Sequence, residues 1–296
     1  MKNHLFTFLL LIFGLNVCTG QEVYDTLYIN MANGATTKLH IENIDSLTFA
    51  PSILTTPDDD PPVIQNSAAL CWIDDDFRIE EFDVYEVLHD WCIDKNIRID
   101  FAYTPGWSKT RLETAKLWEE EGFTFVMHPK HDGWYEDKTH VHDINMMRQH
   151  LVQCIREFQT NFASSRRTLL VFPGSSDSYP ENIEIAKNYV ECGVSATQIG
   201  SNSGTQLNKF RIKRFSLLIR NGYPKSRLKE LIKQHIDNGD WLILYTHMYS
   251  YENTDVVDET TNSIANLFEM VEYANSLCPI RPAEVIWKER KSMYGY

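Results

Sequence analysis

From Ile64 to the carboxyl end, short apolar runs of strand length alternate with segments of helical periodicity, and no other feature limits the fold as tightly. The strand candidates are Ala69–Ile73, Ile97–Tyr103, Phe123–Met127, Thr168–Phe172, Val194–Ile199, Phe215–Ile219, Trp241–Tyr245 and Ala283–Trp287. Between many of them lie amphipathic stretches: Ile79–Asp94, Lys109–Glu120, Asp143–Phe158, Glu181–Glu191, Lys225–Ile236 and Asp258–Leu277. Ser108 and Pro180 suit helix starts, and Gly122 and Gly193 suit helix ends. Such alternation predicts a parallel α/β sheet. Seven to eight strands over 64–296 suit a distorted, mostly parallel (β/α) barrel, closed or partly closed. An open doubly wound sheet is the alternative, but no GxGxxG or GxxxxGK motif follows any strand.

The chain ahead of the barrel divides into three pieces. Residues 1–20 read as a secretory signal peptide: Lys2, an apolar run Leu5–Leu15, and Gly20 at the cleavage region. That run is shorter than the roughly 20 apolar residues a bilayer span needs, and no later segment is long and apolar enough. The protein is therefore expected to be exported (periplasmic, cell-surface or secreted), with a lipoprotein tether at Cys18 as the variant reading. Residues 21–50 hold strand-like runs at Asp25–Asn30 and Ile44–Phe49, a further one at Lys38–Ile41 and a turn at Asn33-Gly34, and predict a small β module. It is similar to a small N-terminal β module of exported Bacteroidetes proteins. Residues 51–63, with four prolines and Asp58-Asp59-Asp60, form a stiff, solvated linker. A calcium site in that acidic run is disfavoured by the lack of an EF-hand's Gly and Glu.

With 41 acidic against 28 basic residues the formal charge is −13, which argues against a nucleic-acid partner. Five of the six cysteines follow residue 20. None forms a CxxC pair, and most sit in apolar surroundings, so they read as buried small hydrophobes.

In (β/α) barrels reactive groups gather at the carboxyl ends of the strands. Here those ends carry Asp74-Asp75-Asp76 after the first strand, His128, His131 and Asp132 after the third, Pro173-Gly174 after the fourth, and His247 after the seventh. Singly each has an ordinary explanation: an acidic helix cap, loop histidines, a turn, a solvated histidine. Together they bring carboxylates and imidazoles to one mouth.

From about Ala68 to Tyr249 the chain resembles the polysaccharide deacetylase (NodB homology, carbohydrate esterase 4-like) family. Four segments carry the resemblance in order: Ala69-Leu-Cys-Trp-Ile-Asp74-Asp75-Asp76-Phe77, Gly122-Phe-Thr-Phe-Val-Met-His128, Phe172-Pro173-Gly174 and Leu242-Ile-Leu-Tyr-Thr-His247. The resemblance implies Asp74 as general base, Asp75 as a metal ligand with His128, and His247 as general acid. It departs in three places. The second motif histidine, His131, lies three residues after His128 where the family has four, which leaves His131 or the adjacent Asp132 as third ligand. Val171 stands where many members have an arginine that steadies the base. Asp76 replaces a glycine.

The implied activity is hydrolysis of acetyl groups from an N- or O-acetylated carbohydrate by a metal-dependent deacetylase. Amide hydrolysis needs an activated water and a proton for the leaving amine; zinc or another divalent ion supplies the first, and a positioned imidazole the second. Trp134, Tyr135 and Tyr249 are candidates to stack on sugar rings, and His140 and His142 are reserve ligands expected to be structural or solvent-facing. Two other readings stand beside this one: a carbohydrate-binding barrel without a complete metal site, and a glycosidase pairing Asp74 or Asp75 with Asp132, which would leave the histidines unexplained.

Overall fold

The structure, a computed structural model, describes residues 26–30, 36–40, 68–106, 108–136, 138, 141–162, 168–204, 207–220 and 222–296. The signal segment, Cys18, the 51–63 linker, the Ile44–Phe49 run and His140 lie outside them. The chain divides into two compact units, Met1–Val63 and Ile64–Tyr296. In the first, β1 (Thr26–Asn30) pairs antiparallel with β2 (Thr36–His40), with Tyr28 and Lys38 as register partners.

The second unit is a closed barrel of seven parallel strands: β3 (Ala69–Asp74), β4 (Asp100–Tyr103), β5 (Thr124–Met127), β6 (Leu169–Val171), β7 (Cys192–Ile199), β8 (Ile212–Ser216) and β9 (Trp241–Thr246). Each pairs with the next in sequence, and β9 closes the ring on β3 with Asp74 opposite Thr246. The expected barrel is therefore the observed one, with seven strands.

Strand parity divides the core in two. Ala69, Cys71 and Ile73 of β3 join Ala102, Val126, Val171, Val194, Ile212, Trp241 and Ile243 in the barrel interior. The alternate residues Leu70, Trp72, Phe101, Tyr103, Phe125, Leu242 and Leu244 pack with the surrounding helices. These helices are α1 (Val84–Asp94), α2 (Lys109–Glu120), α3 (Ile144–Asn161), α4 (Pro180–Ala186), α5 (Lys225–Asp237), α6 (Ile264–Leu277) and α7 (Ala283–Arg290). Ser108 caps α2 by accepting from the Arg111 N–H, and Asp143 caps α3 by accepting from Asn145 and Met146.

Several sequence expectations need correction. Ala283–Trp287, read as an eighth strand, is the start of α7. Its buried residues Ala283, Ile286, Trp287 and Arg290 fall on one helical face, which seals the amino-terminal end of the barrel. The strand placed at Phe215–Ile219 is β8, beginning at Ile212. Gly193 does not end a helix. It lies in β7, where a Cβ would collide with the Phe172 ring. Helix α1 begins only at Val84, because residues 78–81 form a turn of their own in which the Glu81 N–H donates to the Arg78 carbonyl. Helix α6 waits until Ile264: Asp258 accepts from the Thr260 and Thr261 N–H groups in a turn of its own, and Ser263 supplies the cap.

Candidate active site

The carboxyl ends of the strands open onto a cavity of about 570 Å³ lined by Asp75, Asp76, His128, Pro173, Gly174, Arg214 and His247, among others. The same parity that orders the core decides which aspartates reach it. Ile73 faces the interior, so Asp74 faces the helix layer and Asp75 faces inward again. Asp76 then adopts the left-handed conformation, which aspartate tolerates better than most side chains, and joins Asp75 at the cavity.

Asp74, the expected general base, therefore does not line the cavity. Its carboxylate is buried and accepts from the Tyr85 hydroxyl (2.9 Å), the Thr246 hydroxyl (2.9 Å) and the Met248 N–H (2.9 Å). Burial, the dominant influence, raises its pKa well above the ordinary carboxylate range.

Asp75, the expected metal ligand, instead bonds the guanidinium of Arg214 through Oδ2 in a buried ion pair. Its other oxygen, Oδ1, is buried with no hydrogen-bond partner among the described residues. Arg214 comes from β8, where it shares the inward parity of Ile212, and its guanidinium lies 4.2 Å from the centre of the Tyr245 ring. Sequence reasoning missed this residue because the strand was placed three residues late. The available signal was the alternation Ile212-Lys213-Arg214-Phe215, which puts Arg214 on the same strand face as Ile212.

Asp76 meets the first motif histidine: Asp76 Oδ1 lies 3.1 Å from His128 Nε2, while His128 Nδ1 lies 3.0 Å from the Val171 carbonyl. The carbonyl can only accept, so Nδ1 carries a proton and Nε2 is the nitrogen turned to the cavity. Burial works to lower the His128 pKa, but the Asp76 hydrogen bond and charge, Asp75 and the Val171 carbonyl together raise it. For Asp76 burial works upward, and the bond and charge of His128, with His247 and Arg78, hold it below the ordinary range.

His247 follows β9 with inward parity. Its Nε2 lies 3.8 Å from Asp75 Oδ2 and 4.0 Å from Asp76 Oδ2. Burial lowers its pKa, against the pull of those two carboxylates. Tyr249 lies 5.2 Å from it, ring to ring.

His131 and Asp132 also line the cavity, on its exposed rim, with His131 Nε2 3.5 Å from Asp132 Oδ1. Among the described residues no group of three His, Cys, Asp or Glu side chains is gathered closely enough to hold a metal ion. The donor set itself suits a divalent cation in part. A carboxylate and a buried imidazole face each other, the imidazole oriented by a backbone carbonyl as metal-ligating histidines commonly are. A third donor stands on the rim. Asp75 fits less well than Asp76, because a guanidinium already neutralises it.

Of the aromatic candidates, Tyr135 and Tyr249 line the cavity, and Gly174, at φ 54°, makes room for the Tyr135 ring. Trp134 is not a stacking surface: it is fully buried against Phe172, 6.2 Å between ring centres. His142 is structural, 3.0 Å from Asn182 Oδ1 and stacked on Tyr179. All five cysteines of the barrel are buried and unpaired, and no described helix is long and apolar enough to cross a membrane.

No family model and no curated protein matches the sequence. Solved structures do. Puue allantoinase aligns with a TM-score of 0.52 at 11% identity, covering 82% of this chain and 100% of that one. A family 4 carbohydrate esterase pseudoenzyme from Bacillus anthracis gives 0.48 at 12% identity over 74% of this chain, which spans 64% of the pseudoenzyme's length. A polysaccharide deacetylase, so described provisionally, from Mycobacterium smegmatis gives 0.48 at 11% over 76% and 91% of the two chains. Deacetylases and pseudoenzymes of carbohydrate esterase family 4 are thus among the structural neighbours. What the allantoinase alignment carries is the fold: the chain is a seven-stranded (β/α) barrel of the same fold as that enzyme.

Proposed function

We propose that the barrel is a divergent hydrolase of the polysaccharide deacetylase type that removes acetyl groups from an N- or O-acetylated carbohydrate with the help of a divalent cation, zinc by the nature of its donors. The observation that carries this reading is the convergence of Asp75 with Arg214, Asp76 with His128, and His247 on one cavity.

Asp76 and His128 would hold the cation, with His131 or Asp132 as the third ligand. A bound divalent cation lowers the pKa of water toward about 7. Asp75, held in place by Arg214, has the role of proton acceptor. His247, close to both carboxylates, passes a proton to the departing amine or alcohol. Arg214 fixes the Asp75 carboxylate in place and supplies positive charge beside the reacting centre. The roles thus move one residue along the aspartate run from the register the sequence motif implied.

The lack of a third gathered ligand among the described residues favours a second reading, a carbohydrate-binding barrel that does not turn over its ligand. Metal content of the purified protein, combined with acetate release from N- and O-acetylated glycans, separates the two. Metal with acetate supports the hydrolase, and saturable glycan binding with neither supports the binding barrel. The Leu5–Leu15 run supports export, tested by mass spectrometry of the amino terminus of the cell-free protein.

A further inference from the structure

Thr246 and Met248, the two neighbours of His247 in the chain, are both bonded to the same oxygen of one buried carboxylate. Asp74 Oδ1 accepts from Thr246 Oγ1 and from the Met248 N–H, each at 2.9 Å. Thr246 Oγ1 in turn accepts from Trp72 Nε1 at 2.9 Å, and Asp74 Oδ2 accepts from the Tyr85 hydroxyl at 2.9 Å. The carboxylate is therefore anchored in the helix layer by α1 and grips the last residue of β9 and the first of the short 3₁₀ turn Met248–Ser250. His247 sits between those two attachment points. Its own side chain has looser company, with the nearest carboxylate oxygen 3.8 Å away.

We infer that Asp74 is a positioning residue: it holds the chain on both sides of His247, through the Thr246 hydroxyl and the Met248 N–H, and so fixes where that imidazole stands in the cavity. The inference rests on the proposed acid role of His247 for its kinetic consequence, but not for its structural one. A misplacement of about 1 Å at a reacting group is enough to cost about a hundredfold in rate. The clamp requires an acceptor oxygen, not a charge. Asparagine can present its amide oxygen to Thr246 and Met248 and its NH₂ to the Tyr85 oxygen, which then accepts. Alanine can do neither.

The test compares Asp74→Asn, Asp74→Ala and Thr246→Val, assayed by acetate release from N- and O-acetylated oligosaccharides and by crystal structures. Asp74→Asn is expected to keep kcat within about threefold of the unmodified protein. Asp74→Ala is expected to lose about a hundredfold in kcat with KM held within about threefold. Thr246→Val, which removes one of the two grips and covers the case in which the alanine variant does not fold, is expected to lose about tenfold on the same pattern. In the crystals His247 should keep its place opposite Asp75 in Asp74→Asn and leave it in Thr246→Val. Equal loss of kcat in Asp74→Asn and Asp74→Ala would overturn the inference, because the charge itself would then be what matters. Full kcat in a folded Asp74→Ala would overturn it as well. If the unmodified protein releases no acetate, the deacetylase reading fails separately. The crystals then decide the clamp: displacement of His247 in Thr246→Val but not in Asp74→Asn supports it, and an unmoved His247 in both refutes it.

Discussion

Arg214 of β8 reaches past β9 to bond Asp75 at the end of β3, so that two strands which are not neighbours are joined by one buried ion pair at the mouth of the barrel. A buried pair of this kind contributes little against a well-packed apolar replacement, but losing one member leaves a naked charge. Arg214→Met is expected to destabilise the barrel by about 3 to 5 kcal/mol. The double variant Asp75→Asn/Arg214→Met should recover most of that loss. Urea unfolding of the unmodified protein, Asp75→Asn, Arg214→Met and the double variant checks it, and a double variant no better than Arg214→Met alone would show that the pair is not the source.

His247 and Asp75 differ from Asp74 in what their loss should do. Asp75→Asn and His247→Ala should each lower kcat by about 10²- to 10⁴-fold, the usual worth of a positioned acid or base. Thermal unfolding of His247→Ala should stay near that of the unmodified protein, since the imidazole is partly exposed. Deacetylation rates alongside melting curves test this; activity surviving in both variants would remove them from the mechanism.

At the opposite end of the barrel, Asp100 gives the fold a pH dependence of its own. Its buried carboxylate accepts from the Thr124 hydroxyl and from the Ala283 N–H at the start of α7. Burial outweighs those bonds and pushes its pKa up to about 6. That is above the roughly 3.9 of an unfolded aspartate, so the folded state holds the proton more tightly. The contribution of Asp100 is therefore most favourable below about pH 4 and declines as pH rises to about 6, where it levels off. Asp100→Asn should gain on the unmodified protein across that window by about 2 to 3 kcal/mol. Unfolding free energies at pH 4 and pH 7 provide the check, and a difference that does not change with pH would contradict the assignment.

Gly193 tests the packing of the barrel wall. A Cβ there meets the Phe172 ring, the residue just before Pro173-Gly174. Gly193→Ala should cost about 1 to 3 kcal/mol by overpacking, and Phe172→Leu should relieve part of it. A neutral Gly193→Ala would mean that Phe172 moves aside freely.

Much of this was legible from sequence, and the misses have physical causes. The apolar runs that became β3, β5 and β9 stand between clear turn and cap residues, so their place was plain. The segment that became α7 holds Val285, Ile286 and Trp287, a strand-like cluster, but its buried set repeats at helical spacing from Ala283 to Arg290. Charges at Lys213 and Arg214 hid β8, because an inward arginine is unlike the apolar residues that fill the rest of the barrel. The aspartate register was harder. Three identical side chains in a row give a motif nothing to align on, whereas the parity Cys71, Ile73, Asp75 carried the answer. The left-handed turn at Asp76, which brings a second carboxylate to the cavity, has no sequence signal beyond aspartate's tolerance for it. The loop carrying His131 and Asp132 leaves both on the rim of the cavity.

The central claim is that this mouth hydrolyses acetyl groups with a divalent cation held by Asp76 and His128. The most direct measurement is acetate release from N- and O-acetylated glycans before chelation, after chelation and after zinc is returned. The account predicts release that chelation abolishes and zinc restores, and that Asp76→Ala and His128→Ala lack in every condition. Release that ignores both chelator and zinc, or no release from any glycan by a protein that retains no metal, would contradict it.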